Sequence, residues 1–446
     1  MKRDQPGEIS VRRLERRPDL VEIHRHWPEA WPYLLGSTAS GRGLARWSLL
    51  LHATGEPVSF PPGPPGIPGF FDFLRTTSEA SLREPLSDLP FCGGWFVYLG
   101  YELAAEIEPG LSLPTATDGL PIALAHRCPA ALLVDHVKGD SWLVGEAGLD
   151  LDRLADMLAA AQPEPAEPLP PLHIEADAGE RFIDGVDRIR EYILAGDVFQ
   201  VNLSRGWRAN ADQPIDPVSV FCSLAESNPA PFAGLARLPG GTVISSSPER
   251  LVEVRGRAVQ TRPIAGTRPR GRSADDDACL SRELVAHPKE RAEHIMLIDL
   301  ERNDLGRVCH PGSVEVDELM VIESYAHVHH IVSNVRGRLR DGVGASEVIA
   351  AVFPGGTITG CPKFRCMQII AELEGVGRGF YTGAMGYLGN DGSLDLNILI
   401  RSMCVSDDRI SFRTGAGIVA DSDPHAELAE TEDKARGLLT ALGGGP

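Results

Sequence analysis

The stretch DVFQVNLSR, residues 197–205, carries the first reading of the fold. Its residues alternate, with Phe199, Val201 and Leu203 on one side and Gln200, Asn202 and Ser204 on the other. A period of two predicts a strand. Just before it, Phe182, Val186, Ile189 and Ile193 recur at helical spacing, and Gly196 supplies a stop. A helix therefore runs into a strand. That strand's second face carries two amides and a hydroxyl, which suits a binding cavity and equally suits a solvated edge.

Working outward, further strands are expected at GTVISSSPERLVEV (241–254), GAMGYLG (383–389), LNILIRSMCV (396–405) and RISFRTGAGIVA (409–420). Helices are expected at 281–300, 361–374 and 425–441. Strands and helices interleave without a regular βαβ beat, which argues for an α+β (mixed α/β) domain and against a barrel or a dinucleotide-binding fold. A proline-rich connector, QPEPAEPLPP (162–171), divides the chain into an N-terminal region, 1–161, a linker, 162–178, and a region holding nearly all the candidate chemistry, 179–442. Turn signals crowd PPGPPGIPG at 61–69, and no solenoid repeat is present.

The totals narrow the classes. The chain has 446 residues, 43% of them hydrophobic and 24% charged, which is ordinary for a globular enzyme. Its 43 basic and 62 acidic residues give a net charge of −19, so nucleic acid is excluded as a partner for want of a basic face. The eight cysteines form no CxxC pair and no zinc-type array, and are expected to be reduced thiols of a cytoplasmic protein. The basic start, MKRDQPGEISVRRLERR, has no apolar run behind it and is not expected to be a signal peptide. The longest apolar stretch, LPIALAHRCPAALLVDHV, is broken by His126, Arg127 and Pro129, so no membrane span is expected.

Two expected helices each carry carboxylates three residues apart: Glu290 with Glu293, and Glu427 with Glu430. That spacing puts each pair on one helical face. The pairs are solvated faces, or they converge on a hard cation; Mg2+ fits an all-carboxylate set and leaves positions open for water or substrate. Near Glu293 the apolar run Ile295, Met296, Leu297 and Ile298 favours a buried setting that needs a partner. Glycine-rich turns at FPGGTITGCPK (353–363) and RTGAGIVADS (413–422) are tight turns or anion sites, and match no phosphate-binding loop. Arg401, within LNILIRSM, would be costly without an anion and is a candidate carboxylate clamp. His330, ahead of Ile331 and Val332, is by default structural. Glu249, within SSSPERL at the end of an apolar strand, is a turn-capping carboxylate or a general acid. In TRPIAGTRPRG (261–271), Ala265 is either packing or a small side chain that leaves room for a reactant. No nucleophile elbow, HExxH motif or glutaminase-like cysteine turn occurs.

Taken in order, the strings FQVNLSR, SSPERL, TRPIAGTRPRG, AEHIMLIDLERNDLGRV, HHIVSNVRGRL, FPGGTITGCPKFRCMQII, GYLG, GAGIVADS and ELAETEDKA resemble the chorismate-utilising enzymes. The resemblance is strongest to aminodeoxychorismate synthase component I, with anthranilate synthase component I next. It implies two β-sheets stacked in a sandwich, flanked by helices, with the site between them. It implies that Glu290, Glu293, Glu427 and Glu430 hold Mg2+, with Glu293 and Glu430 nearer. Arg401, Tyr381 and the Gly415–Gly417 turn would bind the enolpyruvyl carboxylate, with Gly266 and Thr267 in the substrate-binding set and Thr357 lining the ring. Glu249 would protonate the departing C4 hydroxyl, and His330 would belong to the catalytic set. Relatives that add water carry a lysine base where this chain has Gln200; a neutral amide favours ammonia as nucleophile.

Many aminodeoxychorismate synthases also carry a nucleophilic lysine at this position; here it is Ala265, as in anthranilate synthases, so a covalent route is absent. Against anthranilate synthase stand the short chain and the segments NPAPFAG (228–234) and LLGS (34–37), which depart from that enzyme's tryptophan-binding patterns. The expectation is Mg2+-dependent amination of chorismate to 4-amino-4-deoxychorismate for 4-aminobenzoate and folate. Ammonia would come from a glutamine amidotransferase subunit. Anthranilate synthase is the alternative. A chorismate-binding regulatory subunit without catalysis is the alternative of another class, opposed by the intact acid set.

Overall fold

The computed structural model describes residues 9–38, 46–61, 69–77, 88–161, 167–271, 273–324 and 328–444. The turn signals at 62–68 and the connector residues 162–166 lie outside the described residues.

The opening helix and strand form as Gly179–Leu194 and Gln200–Asn210. Phe182, Val186 and Ile189 pack with Val201 and Leu203 of the strand in one apolar cluster. Gln200, Asn202 and Ser204 are buried as well, so the amide face looks into the protein and not onto a solvated edge. Phe199 departs from the alternation. It precedes the strand and is 68% exposed, and its N–H donates to the Cys361 carbonyl.

Among the described residues the strands form two sheets, one of twelve and one of ten, with every pairing antiparallel. Strands from both sides of the connector share them: Tyr33–Gly36 pairs with Phe232–Leu238 in the larger sheet, and Gly94–Leu99 with Ala384–Gly389 in the smaller. The inner faces meet in an apolar layer that includes Tyr33, Leu51, Phe96, Tyr98 and Met385. There Tyr33 stacks on Phe96 with ring centroids 3.7 Å apart, a pairing worth about 1 kcal/mol beyond the area it buries. Helices Pro217–Ser227 and Pro424–Ala441 cover the outside of the larger sheet. Phe70–Thr77, Ala345–Val352 and Pro288–Gly306 cover the smaller. No described helix is long and apolar enough to cross a membrane.

Three expected elements are broken, each for a local reason. The expected helix at 281–300 is two helices, Ala274–Ala286 and Pro288–Gly306. His287 is extended and Pro288 opens the second helix, because proline has no N–H to continue the first. The expected strand at 241–254 is two strands in different sheets, Gly241–Ser247 in the larger and Arg250–Arg255 in the smaller, parted at Pro248–Glu249. The expected strand at 396–405 likewise splits into Leu394–Ile398 and Ser402–Ser406, again one in each sheet. Arg401 therefore lies on no strand but at a crossing, with φ 52° in the left-handed region. The two crossings are stitched together: Ser246 N–H donates to the Arg401 carbonyl at 3.0 Å, and Ile398 N–H to the Glu249 carbonyl at 3.0 Å. The chain thus passes between sheets twice, side by side, and each passage presents one ionisable residue to the interior.

Candidate active site

The two acid-bearing helices start the same way. Pro288 and Pro424 stand in the first turn of their helices, and Asp423 caps the second by accepting from Ala426 N–H at 2.9 Å. The helices bring Glu290, Glu293 and Glu430 into one electrostatic neighbourhood. Burial pushes Glu293 up to about 7, and the like charges of Glu290 and Glu430 add to that push, against Lys434 and Gln200. Glu427, one turn before Glu430, is buried. Each of the three neighbouring carboxylates is turned to a donor of the chain itself. Gln200 Nε2 donates to Glu293 Oε1 at 3.0 Å, Arg268 Nη1 to Glu290 Oε1 at 3.2 Å, and Lys434 Nζ stands 2.6 Å from Glu430 Oε1. Among the described residues no group of three or more His, Cys, Asp or Glu side chains stands ready to hold a metal ion.

Two glycines let these groups approach. A Cβ at Gly417 would collide with Gln200 Nε2 and stand 3.3 Å from Glu293 Oε1. Gly266, at φ 67°, would place a Cβ 2.8 Å from Glu290 Oε2. Gly266 thus faces the acid cluster and accepts from His330 Nδ1 at 3.4 Å. Burial, aided by the Arg401 charge, holds His330 down at about 4, so the ring is neutral near pH 7. The backbone of Thr267 pairs with His330; its side chain lies outside the described residues. Ala265, 7% exposed, pairs with Ile331 on the same strand, Ile264–Pro269.

Glu249 and Arg401 occupy the two sheet crossings. Glu249 is 4% exposed and burial pushes its carboxyl up to about 7. The Thr357 hydroxyl, the Ile264 N–H, Lys434 and Arg401 oppose that shift without cancelling it. Neither Glu249 Oε1 nor Thr357 Oγ1 completes a hydrogen bond, although both are buried. The two groups stand near one another, and each keeps hydrogen-bonding capacity that a polar ligand could use. The Arg401 guanidinium makes no ion pair among the described residues; burial lowers its pKa, and Tyr381, Glu430 and Glu249 act against that. Tyr381, Asn202 and Gly415 close the far end. A Cβ at Gly415 would stand 2.9 Å from the Tyr381 hydroxyl and 3.0 Å from Asn202 Oδ1, and Asn202 Oδ1 has no partner.

Several residues at this site were not anticipated. Lys434 pairs with Glu430 and donates to the Gly415 carbonyl at 3.0 Å; its signal was its place four residues after Glu430 on one helix. Glu301, in the IDLERND segment, is buried, and burial with the nearby Asp304 charge pushes its carboxyl up, a setting no local pattern announces. A separate cavity of about 360 Å³ opens at Gly36, Trp47, Phe232, Arg250, Met385 and Tyr387, touching the LLGS and NPAPFAG segments. It contains none of the predicted site residues, and its Arg250 is already held by Asp395 at 2.9 Å.

Similarities of sequence and structure to known proteins point to one family. The family model described as chorismate binding enzyme matches residues 68–440. An anthranilate synthase component I-like protein of Synechocystis sp. is 43% identical, over 90% of this chain and 84% of that protein. Aminodeoxychorismate synthase component 1 of Bacillus subtilis is 40% identical, over 87% of this chain and 84% of that protein. The crystal structure of anthranilate synthase component I from Streptococcus pneumoniae superposes with a TM-score of 0.78 at 32% identity, covering 89% of this chain and 93% of that one.

Proposed function

The chain belongs to the chorismate-binding enzymes, and from that premise we propose that it aminates chorismate to 4-amino-4-deoxychorismate, with ammonia supplied by a glutamine amidotransferase partner. The observation that carries the reading is Glu249, a buried acid held near 7 with an unpartnered oxygen, set beside Arg401. Hydroxide is a poor leaving group, so breaking the C4–O bond of chorismate needs a proton, and Glu249 is placed and tuned to donate it. Arg401 and the Tyr381 hydroxyl at Gly415 would hold the enolpyruvyl carboxylate. Gln200 is a neutral amide tied to Glu293 and cannot deprotonate water; ammonia needs no such base. Two displacements deliver the C4 amine. Ammonia adds at C2 as the C4–O bond breaks and water leaves with the Glu249 proton. A second ammonia then adds at C4 as the C2–N bond breaks and the first nitrogen leaves as ammonia, each new ammonium returning one proton to the Glu249 carboxylate.

The carboxylate set fits a hard divalent cation such as Mg2+. Glu293 is pushed up by like charges that such an ion would offset. Glu290, Glu293, Glu430 and Glu427 would hold it, and it would supply charge neutralisation and a seat for the ring carboxylate. A second reading, anthranilate synthase component I, is favoured by Ala265: without a lysine there, ammonia adds at C2 and must be moved to reach C4. Against it stand the segments NPAPFAG (228–234) and LLGS (34–37), which depart from that enzyme's tryptophan-binding patterns. Product analysis with chorismate, Mg2+ and ammonium decides the matter. Aminodeoxychorismate that yields 4-aminobenzoate only when a lyase is added supports the proposal; fluorescent anthranilate without a lyase supports the second reading.

A further inference from the structure

Tyr381 does not hold itself in place. A second guanidinium, Arg378, lies behind its ring and is only 3% exposed. The Arg378 Cζ stands 5.6 Å from the Tyr381 ring centroid and 5.0 Å from that of Tyr101. Each of its N–H groups has an acceptor. Nε donates to Glu374 Oε2 at 3.1 Å, and Nη2 donates to Glu374 Oε1 at 2.6 Å and to the Asn202 carbonyl at 2.8 Å. Nη1 donates to the Ile358 carbonyl at 3.1 Å and to Thr382 Oγ1 at 3.3 Å. These acceptors are not scattered. Ile358 follows Thr357 in its turn, Asn202 shares the Gln200 strand, and Thr382 follows Tyr381 directly. Thr382 has φ 62°, an unfavourable conformation for a β-branched residue that persists only where surrounding contacts enforce it.

Glu374 balances only part of the charge. It also accepts from Ser204 N–H at 2.9 Å, Ser204 Oγ at 2.8 Å and Arg413 Nη2 at 3.0 Å, so two guanidinium groups share one carboxylate. A fully satisfied buried network of this kind is rigid, and breaking one member leaves the others uncompensated.

We propose that Arg378 is a positioning residue of the substrate site: it holds the Tyr381 hydroxyl over Gly415, where a substrate carboxylate binds. The cation against the ring also makes the phenol a better donor, since it opposes the upward push of burial on that hydroxyl. The inference rests on the reading of Tyr381 and Gly415 as the carboxylate pocket, and is independent of which product forms.

The test is a double-variant cycle with Arg378→Lys and Tyr381→Phe, measuring KM and kcat for chorismate with Mg2+ and ammonium. A lysine keeps the charge but cannot reach this set of acceptors. Tyr381→Phe is expected to raise KM about tenfold, the loss of one hydrogen bond to a charged group. Arg378→Lys is expected to raise KM about tenfold with kcat changed less than about threefold, and to add less than about twofold in the Tyr381→Phe background. Multiplying effects on KM, or an unchanged KM in Arg378→Lys, overturn the inference. An unchanged KM in Tyr381→Phe overturns the pocket reading and the inference with it. Should Arg378→Lys not fold, Tyr101→Leu removes one ring from the guanidinium while sparing its acceptors, and the same cycle applies to it with the same criteria.

Discussion

Replacing Glu249 with glutamine separates activity from stability, and the structure sets both magnitudes. An ordinary glutamate titrates at 4.5, whereas burial holds this one at about 7. The folded state therefore keeps a proton that the unfolded chain releases. Below pH 4.5 both states are protonated and the group contributes nothing to the balance. As the pH rises from there to about 7 stability is lost, and above 7 the loss is complete at about 3 kcal/mol. Glu249→Gln carries no titrating group, so its stability relative to the parent should grow between pH 5 and pH 8.5 by about 2–3 kcal/mol. Urea unfolding at the two pH values reads this difference directly. Turnover should move the other way. Removing a general acid costs about 10²–10⁴ in kcat, and in the parent kcat/KM should fall about tenfold per pH unit above 7 as the acid ionises. A variant that retains a tenth or more of the parent rate, or shows no pH-dependent gain in stability, refutes the assignment of Glu249 as a buried acid.

Other outcomes follow from the same contacts. Gly417→Ala should drive Gln200 away from Glu293 and lower kcat/KM about a hundredfold; an unchanged rate would detach Gln200 from the chemistry. Glu293→Gln should raise the half-activating Mg2+ concentration by at least about tenfold, measured by titrating activity, and an unaltered titration would remove that residue from the ion's ligands. Ala265→Lys places an amine on the strand whose Ile264 N–H reaches Glu249. Intact-protein mass spectrometry with chorismate and no ammonia should then reveal a covalent adduct absent from the parent, and its absence would place the slot away from the ring.

What could be read along the chain was whatever depends on near neighbours. The helix at Gly179–Leu194 and the strand after it follow from periodicity and a glycine stop within a turn or two, whereas the expected helix at 281–300 ran through Pro288, where a new helix starts. The ordered strings from FQVNLSR to ELAETEDKA identified the family for the same reason, since each is a contiguous run. The sequence also marked Glu249, Arg401 and the glutamate pairs as candidates, though it held each beside a plain structural reading. It misjudged 241–254 and 396–405 as continuous strands, because an apolar run reads alike whether or not it changes sheet.

The tertiary structure alone decided which of these groups share a space. Glu249 and Arg401 meet because two sheet crossings are hydrogen-bonded side by side, and Glu293 feels Glu430 because two helices remote in sequence converge. Arg378 binds the Asn202 carbonyl across 176 residues of chain. Burial and electrostatic partnership are properties of packed neighbours, and for an acid, a cation and a carboxylate pocket those neighbours come from distant segments. Local pattern names such residues; only the packed fold sets their charge state and what they can hold.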